Sequence, residues 1–238
     1  MLVELAGERI LLDAGTGLTN LDAHARPAPQ TCTLLLSHAH LDHLLGLTTF
    51  APLYAPDFQA TVYARARDGL GAKEQVARMM SPPLWPIGPE AFRADLSWRA
   101  LPDGSFRVGE VTIDHAEGNH PGGATVFRLS AGGVSVVYAT DCELDADTAR
   151  RLRPLAADCD LLLCDAEHTD TEHAQRPGWG HSTVGMALAF SDACRARRTS
   201  LIHHAPDRTD ADLDAMAISA LVGRPDCAFG KQGDVFWL

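Results

Sequence analysis

Short apolar runs separated by turn residues recur along the chain, and they read as strands. The first covers residues 9–13 and ends in Asp13-Ala14-Gly15-Thr16-Gly17, a turn. A second covers 33–37, and others cover 60–64, 96–101, 111–117, 125–130 and 134–140 and are rich in Val, Ile and aromatic residues. Beyond residue 140 the character changes. Residues 145–157 read as a helix, 160–164 as a buried strand, 183–197 as a helix, 199–203 as a strand and 210–222 as a last helix. Asp210 and Asp212 open that last helix, where they complement its dipole. The pattern predicts a mixed α/β chain, with antiparallel hairpins early and β-α-β units late. No linker, repeat or low-complexity segment divides it, so residues 1–238 are expected to form one domain. Residues 68–104 interrupt the pattern with Pro82, Pro83, Pro86, Pro89 and Pro102 around Met79, Met80, Leu84 and Trp85. Such a segment is a surface excursion or a lid over a pocket.

Composition narrows the class. Of 238 residues, 46% are hydrophobic and 21% charged, which fits a soluble domain with a well-buried core. No apolar run approaches the roughly 18 residues of a transmembrane helix. The N-terminus, Met1-Leu2-Val3-Glu4-Leu5, has no basic region, which argues against a secretory signal. The net charge of −11 disfavours a long nucleic acid as main ligand. A small anionic substrate stays open, because a metal site supplies local positive charge. The six cysteines form no C-x-x-C pair and read as reduced thiols of a cytoplasmic protein. Cys142 reads as a small buried apolar residue.

The strongest chemical signal is Ser37-His38-Ala39-His40-Leu41-Asp42-His43, directly after an apolar run. In an extended turn His38 and His40 project to one side, so their imidazoles can share one ion. Asp42 and His43 begin a helix and can reach a neighbouring ion. Imidazole with carboxylate suits zinc, manganese or iron rather than calcium. The bland alternative is a solvated His/Asp loop. Against it, His120, Asp141 and His203 each follow an apolar run, where a site would need further ligands.

Taken in order, Asp13-Ala14-Gly15, His38-x-His40-x-Asp42-His43, His120, Asp141 and His203 resemble the metallo-β-lactamase superfamily, from Asp13 to about Asp210. The resemblance implies an αββα four-layer sandwich with a dinuclear site at one edge. It implies two divalent ions, zinc first, with manganese or iron as alternatives. His38, His40 and His120 would hold one ion and Asp42, His43 and His203 the other, with Asp141 bridging. His203 is preferred over His204 as the ligand nearest the strand end. Asp13 would fix the ligand loop by hydrogen bonds.

The second half is similar to the ribonuclease Z-like and small cyclic phosphodiesterase branch. Its carriers are Cys164-Asp165-Ala166-Glu167 and Gly178-Trp179-Gly180-His181-Ser182-Thr183, followed by a helix and His203. This implies His181 as the catalytic partner of the metals, oriented by Asp165. The plainer role for His181 is a residue beside the helix cap Ser182. Two departures stand out. Branch members usually carry a Gly-rich stretch and one more strand before the segment matching residues 3–5, so the N-terminus is expected to be truncated or wrongly assigned. No long basic RNA-gripping arm is present, which favours a small phosphodiester, cyclic ones included. The expected reaction is hydrolysis by a hydroxide bridging the ions, with Asp42 orienting it and His181 protonating the leaving oxygen.

Competing readings use the same residues. A carbonyl-ester hydrolase would act on a thiolester, lactone or β-lactam. A di-iron redox or sensor protein usually carries an extra carboxylate near His40 and a flavin-bearing partner domain, and neither is seen here. A non-catalytic binding module conflicts with a full ligand set. Gly15-Thr16-Gly17 imitates a dinucleotide loop but lacks the third glycine. His24, His115, His168 and His173 follow no partner pattern and read as surface or core residues, His115 and His168 also as outer supports of the site. Homodimers are common in the resembling families, though no interface signature stands in the sequence.

Overall fold

The computed structural model describes residues 1–21 and 31–238, so His24 lies outside the described residues. The chain divides into two compact units, Met1–Val111 and Thr112–Leu238.

The first unit is built on one sheet. Its strands are β1 (Leu2–Leu5), β2 (Glu8–Leu12), β3 (Thr31–Leu36), β4 (Gln59–Ala64) and β5 (Asp95–Ala100), side by side in that order. Only β1 and β2 pair antiparallel; β2 through β5 run parallel. The expected early hairpins are therefore corrected for most of this sheet. The connections are long crossovers, which return the chain to the same sheet end and force parallel pairing. β3 leads through residues 37–40 into a one-turn helix, α1 (Leu41–Leu44). The proline-rich stretch belongs to the crossover from β4 to β5. It contains α2 (Ala72–Met79), which buries Ala72, Gln75 and Val76. Leu34, Leu36, Leu44, Leu47, Phe50, Val62, Val76 and Met80 form the core of this unit. A three-residue strand, β6 (Phe106–Val108), follows.

The second unit carries β7 (Val111–Glu117), β8 (Thr125–Ala131), β9 (Val134–Ala139), β10 (Leu161–Asp165), β11 (Thr199–Ile202) and β12 (Cys227–Phe229). β7, β8 and β9 pair antiparallel, and β9, β10, β11 and β12 pair parallel. The helices are α3 (Ala146–Ala156), α4 (Asp170–Ala174), α5 (Val184–Cys194) and α6 (Asp210–Ala220). β10 is buried at every position, as an unbroken apolar run in a parallel sheet requires. α3 buries Thr148, Leu152 and Ala156, one turn apart, against Val137, Leu162, Phe190 and their neighbours in a second core.

Side chains punctuate the helices. Asp145 accepts from the Thr148 N–H to start α3, and Thr183 accepts from the Met186 N–H to start α5. Thr169 with Glu172, and Thr209 with Asp212, form capping boxes on α4 and α6. The helix expected to reach residue 197 stops at Cys194, because Arg195 turns left-handed with φ +56°. All six cysteines are free thiols. Among the described residues no helix is long and apolar enough to cross a membrane.

Candidate metal centre

In the first unit the ligand turn is fixed by Asp13, at the end of β2. Asp13 is 5% exposed and holds a left-handed backbone, φ +57°. Its Oδ1 accepts from the Ser37 N–H (2.7 Å), and its Oδ2 accepts from the Ser37 hydroxyl (2.7 Å) and from His43 Nδ1 (2.7 Å). The next turn presses on α1 from the same side. A Cβ on Gly15 would lie 2.5 Å from the Asp42 carbonyl oxygen, and one on Gly46 would lie 2.1 Å from the Gly15 carbonyl. Only glycine permits this approach. The result gathers three imidazoles. The His38 ring centroid lies 4.4 Å from that of His40 and 4.3 Å from that of His43. Asp42, with an exposed side chain, brings Oδ2 to 3.2 Å from His43 Nε2.

In the second unit the remaining predicted residues come from five strand ends and loops. His120 stands in a tight loop after β7, closed by the Gly118 N–H to Ala124 carbonyl bond (2.7 Å) and the Gly123 N–H to His120 carbonyl bond (2.8 Å). Asp141 follows β9 with φ +47° and is buried; the Thr140 hydroxyl donates to its Oδ1 (2.6 Å). His203 follows β11 with φ +57°. Asp141 Oδ1 lies 3.2 Å from His203 Nε2, and its Oδ2 lies 3.8 Å from His120 Nε2. Asp165, at the end of β10, is wholly buried. It accepts from the Cys142 N–H (3.0 Å), the Glu167 N–H (3.0 Å) and His181 Nδ1 (2.9 Å). The His181 ring stacks on His203 at 5.0 Å and 8°, and Asp165, His181 and His203 offer ligand atoms within 4.8 Å of one another. His204 turns away: its Nε2 donates to the Gly230 carbonyl (3.1 Å) and its ring lies against Phe229.

Ionisation follows from these contacts. Burial pushes the Asp13 carboxyl up, but the bonds from His43 and Ser37 bring it below the usual carboxylate range. Burial pushes His181 down, and the Asp165 and Glu167 carboxylates reverse this and hold it above the ordinary imidazole value. Burial likewise pushes Glu167 up, while the bond from His203 and the neighbouring imidazoles bring it below the usual range.

The donor set suits a transition-metal ion. The Ser37 hydroxyl spends its one proton on Asp13, so its oxygen accepts from His38 Nδ1 at 3.0 Å. His43 Nδ1 faces Asp13, His120 Nδ1 faces the Gly180 carbonyl (3.0 Å), and His203 Nδ1 faces Glu167 Oε2 (3.2 Å). In all four imidazoles an oxygen faces Nδ1, an arrangement that would leave Nε2 available to an ion, as the outer support of a metal-bound histidine does.

Glu167 is the residue that sequence reasoning gave no role. Its Oε2 also lies 3.3 Å from His181 Nδ1. Its only signal was its place two residues after Asp165 at the end of a buried strand. His168, expected as an outer support, is fully buried with its ring 5.7 Å from that of His181 and Nδ1 3.2 Å from the Arg176 guanidinium. The His115 ring lies 6.5 Å from that of Phe127, and His173 pairs with Glu143 (2.9 Å). The Trp179 indole, two residues before His181, is 56% exposed with Arg176 over it at 5.2 Å.

Comparison with known proteins gives a family, a relative and two similar structures. The family described as Beta-lactamase superfamily domain matches residues 8–204, through both units. Ribonuclease Z of Bradyrhizobium diazoefficiens is 26% identical over 91% of this chain and 87% of its own. Among solved structures, the metallo-β-lactamase fold protein YhfI of Bacillus subtilis superposes with a TM-score of 0.75 at 19% identity, covering 99% of this chain and 89% of that one. A diphosphatase of the PhnP family superposes with a TM-score of 0.69 at 17% identity, covering 100% of this chain and 83% of that one.

Proposed function

Since the chain belongs to the metallo-β-lactamase superfamily, with its α/β fold and near its ribonuclease Z branch, we propose that it is a metal-dependent phosphodiesterase acting on a small anionic diester. On this reading the two units are halves of one domain. His38, His40 and His120 hold one divalent ion, Asp42, His43 and His203 hold a second, and Asp141 serves both. Zinc fits this imidazole and carboxylate set, and manganese or iron can replace it. When bound, the ions supply a nucleophile from water at neutral pH and positive charge for the substrate.

The observation that carries the diester reading is the His181–Asp165 pair. Asp165 has three donors in a wholly buried setting, so its position is fixed. It holds the His181 Nδ1 proton, and in the imidazolium form that Asp165 and Glu167 favour, the second proton, on Nε2, would go to a leaving oxygen. Asp42, exposed at the start of α1, would orient the attacking water. The half-buried Arg176 and the exposed face of Trp179 offer a cation and an aromatic platform to an anionic, ring-bearing substrate. The net charge of −11 opposes a long polyanion, and the free thiols fit the cytoplasm.

The test is hydrolysis of bis(p-nitrophenyl) phosphate by protein reconstituted with zinc or manganese. Turnover is expected to vanish in EDTA-stripped protein and return with metal. Two bound ions, no diester turnover and measurable lactone or thiolester hydrolysis would replace this reading with the carbonyl-ester one.

A further inference from the structure

Asp165, the last residue of β10, and Glu167, two residues on, face His181 and His203. His181 Nδ1 has Asp165 Oδ2 at 2.9 Å and Glu167 Oε2 at 3.3 Å. One N–H makes its main bond to the nearer and better-fixed acceptor, and that is Asp165. Glu167 Oε2 lies 3.2 Å from His203 Nδ1, on the opposite side of that ring from Asp141. Its backbone is tied to Asp165 through the Glu167 N–H (3.0 Å), so both acids are set by the same strand end.

From this geometry we infer that Glu167 is a positioning residue for metal binding, which fixes His203 in the tautomer with hydrogen on Nδ1. The inference rests on the proposed role of His203 as a ligand. A neutral imidazole carries one ring proton. If that proton moved to Nε2, it would point at Asp141 Oδ1, 3.2 Å away, and the ring would donate to Asp141 instead of offering a lone pair to an ion. A carboxylate oxygen 3.2 Å from Nδ1 opposes this by favouring the proton on its own side of the ring. Asp13 gives His43 the same support at 2.7 Å, so the two histidines assigned to the second ion would each have a carboxylate behind them.

The experiment compares Glu167→Met, which keeps bulk and removes the acceptor, with Glu167→Gln, which keeps a carbonyl oxygen that can accept. Zinc affinity is read by competition with a chromogenic chelator, and ion content by elemental analysis. Wild-type protein is expected to hold two ions. Glu167→Met is expected to bind one of them roughly 10–100-fold more weakly, and Glu167→Gln to stay within a few-fold of wild type. Glu167→Ala replaces the Met variant in the same assay should that one fail to fold. Equal zinc affinity in the Met or Ala variant and wild type would overturn the inference. So would a variant that loses diester turnover with unchanged affinity, since the carboxylate would then serve His181. The proposed function fails separately, and this inference with it, if wild-type protein binds no second ion. Absent diester turnover with two ions bound leaves the affinity comparison decisive.

Discussion

Gly180 joins two parts of the candidate site. Its backbone has φ +82°, and a Cβ there would lie 2.5 Å from Pro121 Cδ and 2.6 Å from His120 Nδ1. Its carbonyl also accepts from that same Nδ1 at 3.0 Å. Gly180→Ala is therefore expected to cost about 1–3 kcal/mol in stability through the strained backbone and to displace His120. Urea unfolding of the metal-free protein reads the first effect and zinc content the second; unchanged values in both would show that the loop gives way freely. The neighbouring His181 has a different signature. His181→Ala is expected to lower kcat by about 10²–10⁴ while both ions stay bound. Loss of an ion from that variant would make His181 a ligand, which its 5.0 Å stacking on His203 makes a fair question.

At the scale of elements, α4 illustrates how little apolar burial a helix can have. It buries none of its residues and is held by the Thr169–Glu172 capping box and by Arg208, which donates to Glu172. Thr169→Ala should cost about 0.5–2 kcal/mol. Glu172 is held below the usual carboxylate range, first by the Thr169 backbone bond. Its native pKa lies below its unfolded one, so its contribution is present above the unfolded value, about 4.3, and fades as pH falls through the native one. Stability in wild type should accordingly drop more steeply below about pH 4.5 than in Glu172→Gln, read from urea midpoints across pH. The same helix shows what sequence patterns miss. A reading by apolar runs passes over α4, although Thr169 with Glu172 three residues on carries the capping-box spacing. β10 and β7 were legible because their runs are long and buried or half-buried. β6 and β12, three residues each, leave no pattern to read. Strand direction was illegible in β3, β4 and β5 because it is set by crossovers and not by the strands themselves. Of the site, the spacing of His38, His40, Asp42 and His43 stood out in sequence, whereas His203 was preferred over His204 only through the family's pattern; in the structure His204 bonds the Gly230 carbonyl. Glu167 was not, because a lone acid has no spacing, and only the fold sets it against His203.

For the whole molecule, the proposed function links metal to stability. An ion at about 100 times its dissociation constant contributes about 2.7 kcal/mol to a protein that binds it only when folded. EDTA treatment is therefore expected to lower the Tm by about 5–11 °C, reversibly on adding zinc. An unchanged Tm would mean that the ions are not bound under those conditions or bind equally well to unfolded chain.

Three of the predicted site residues, Asp13, Asp141 and His203, hold left-handed backbone where a strand ends. Each such residue carries a strain of order 1–3 kcal/mol that its surroundings must sustain. Glycine would relieve that strain, and asparagine would lessen it. A laboratory selection for heat tolerance alone would thus reward replacing His203, whose side chain is only half buried, and would enrich hardy proteins that have lost a proposed ligand. Selection for survival and selection for turnover would pull this one position in opposite directions, so a library screened only for survival at high temperature would be poorest in active clones where it changes most.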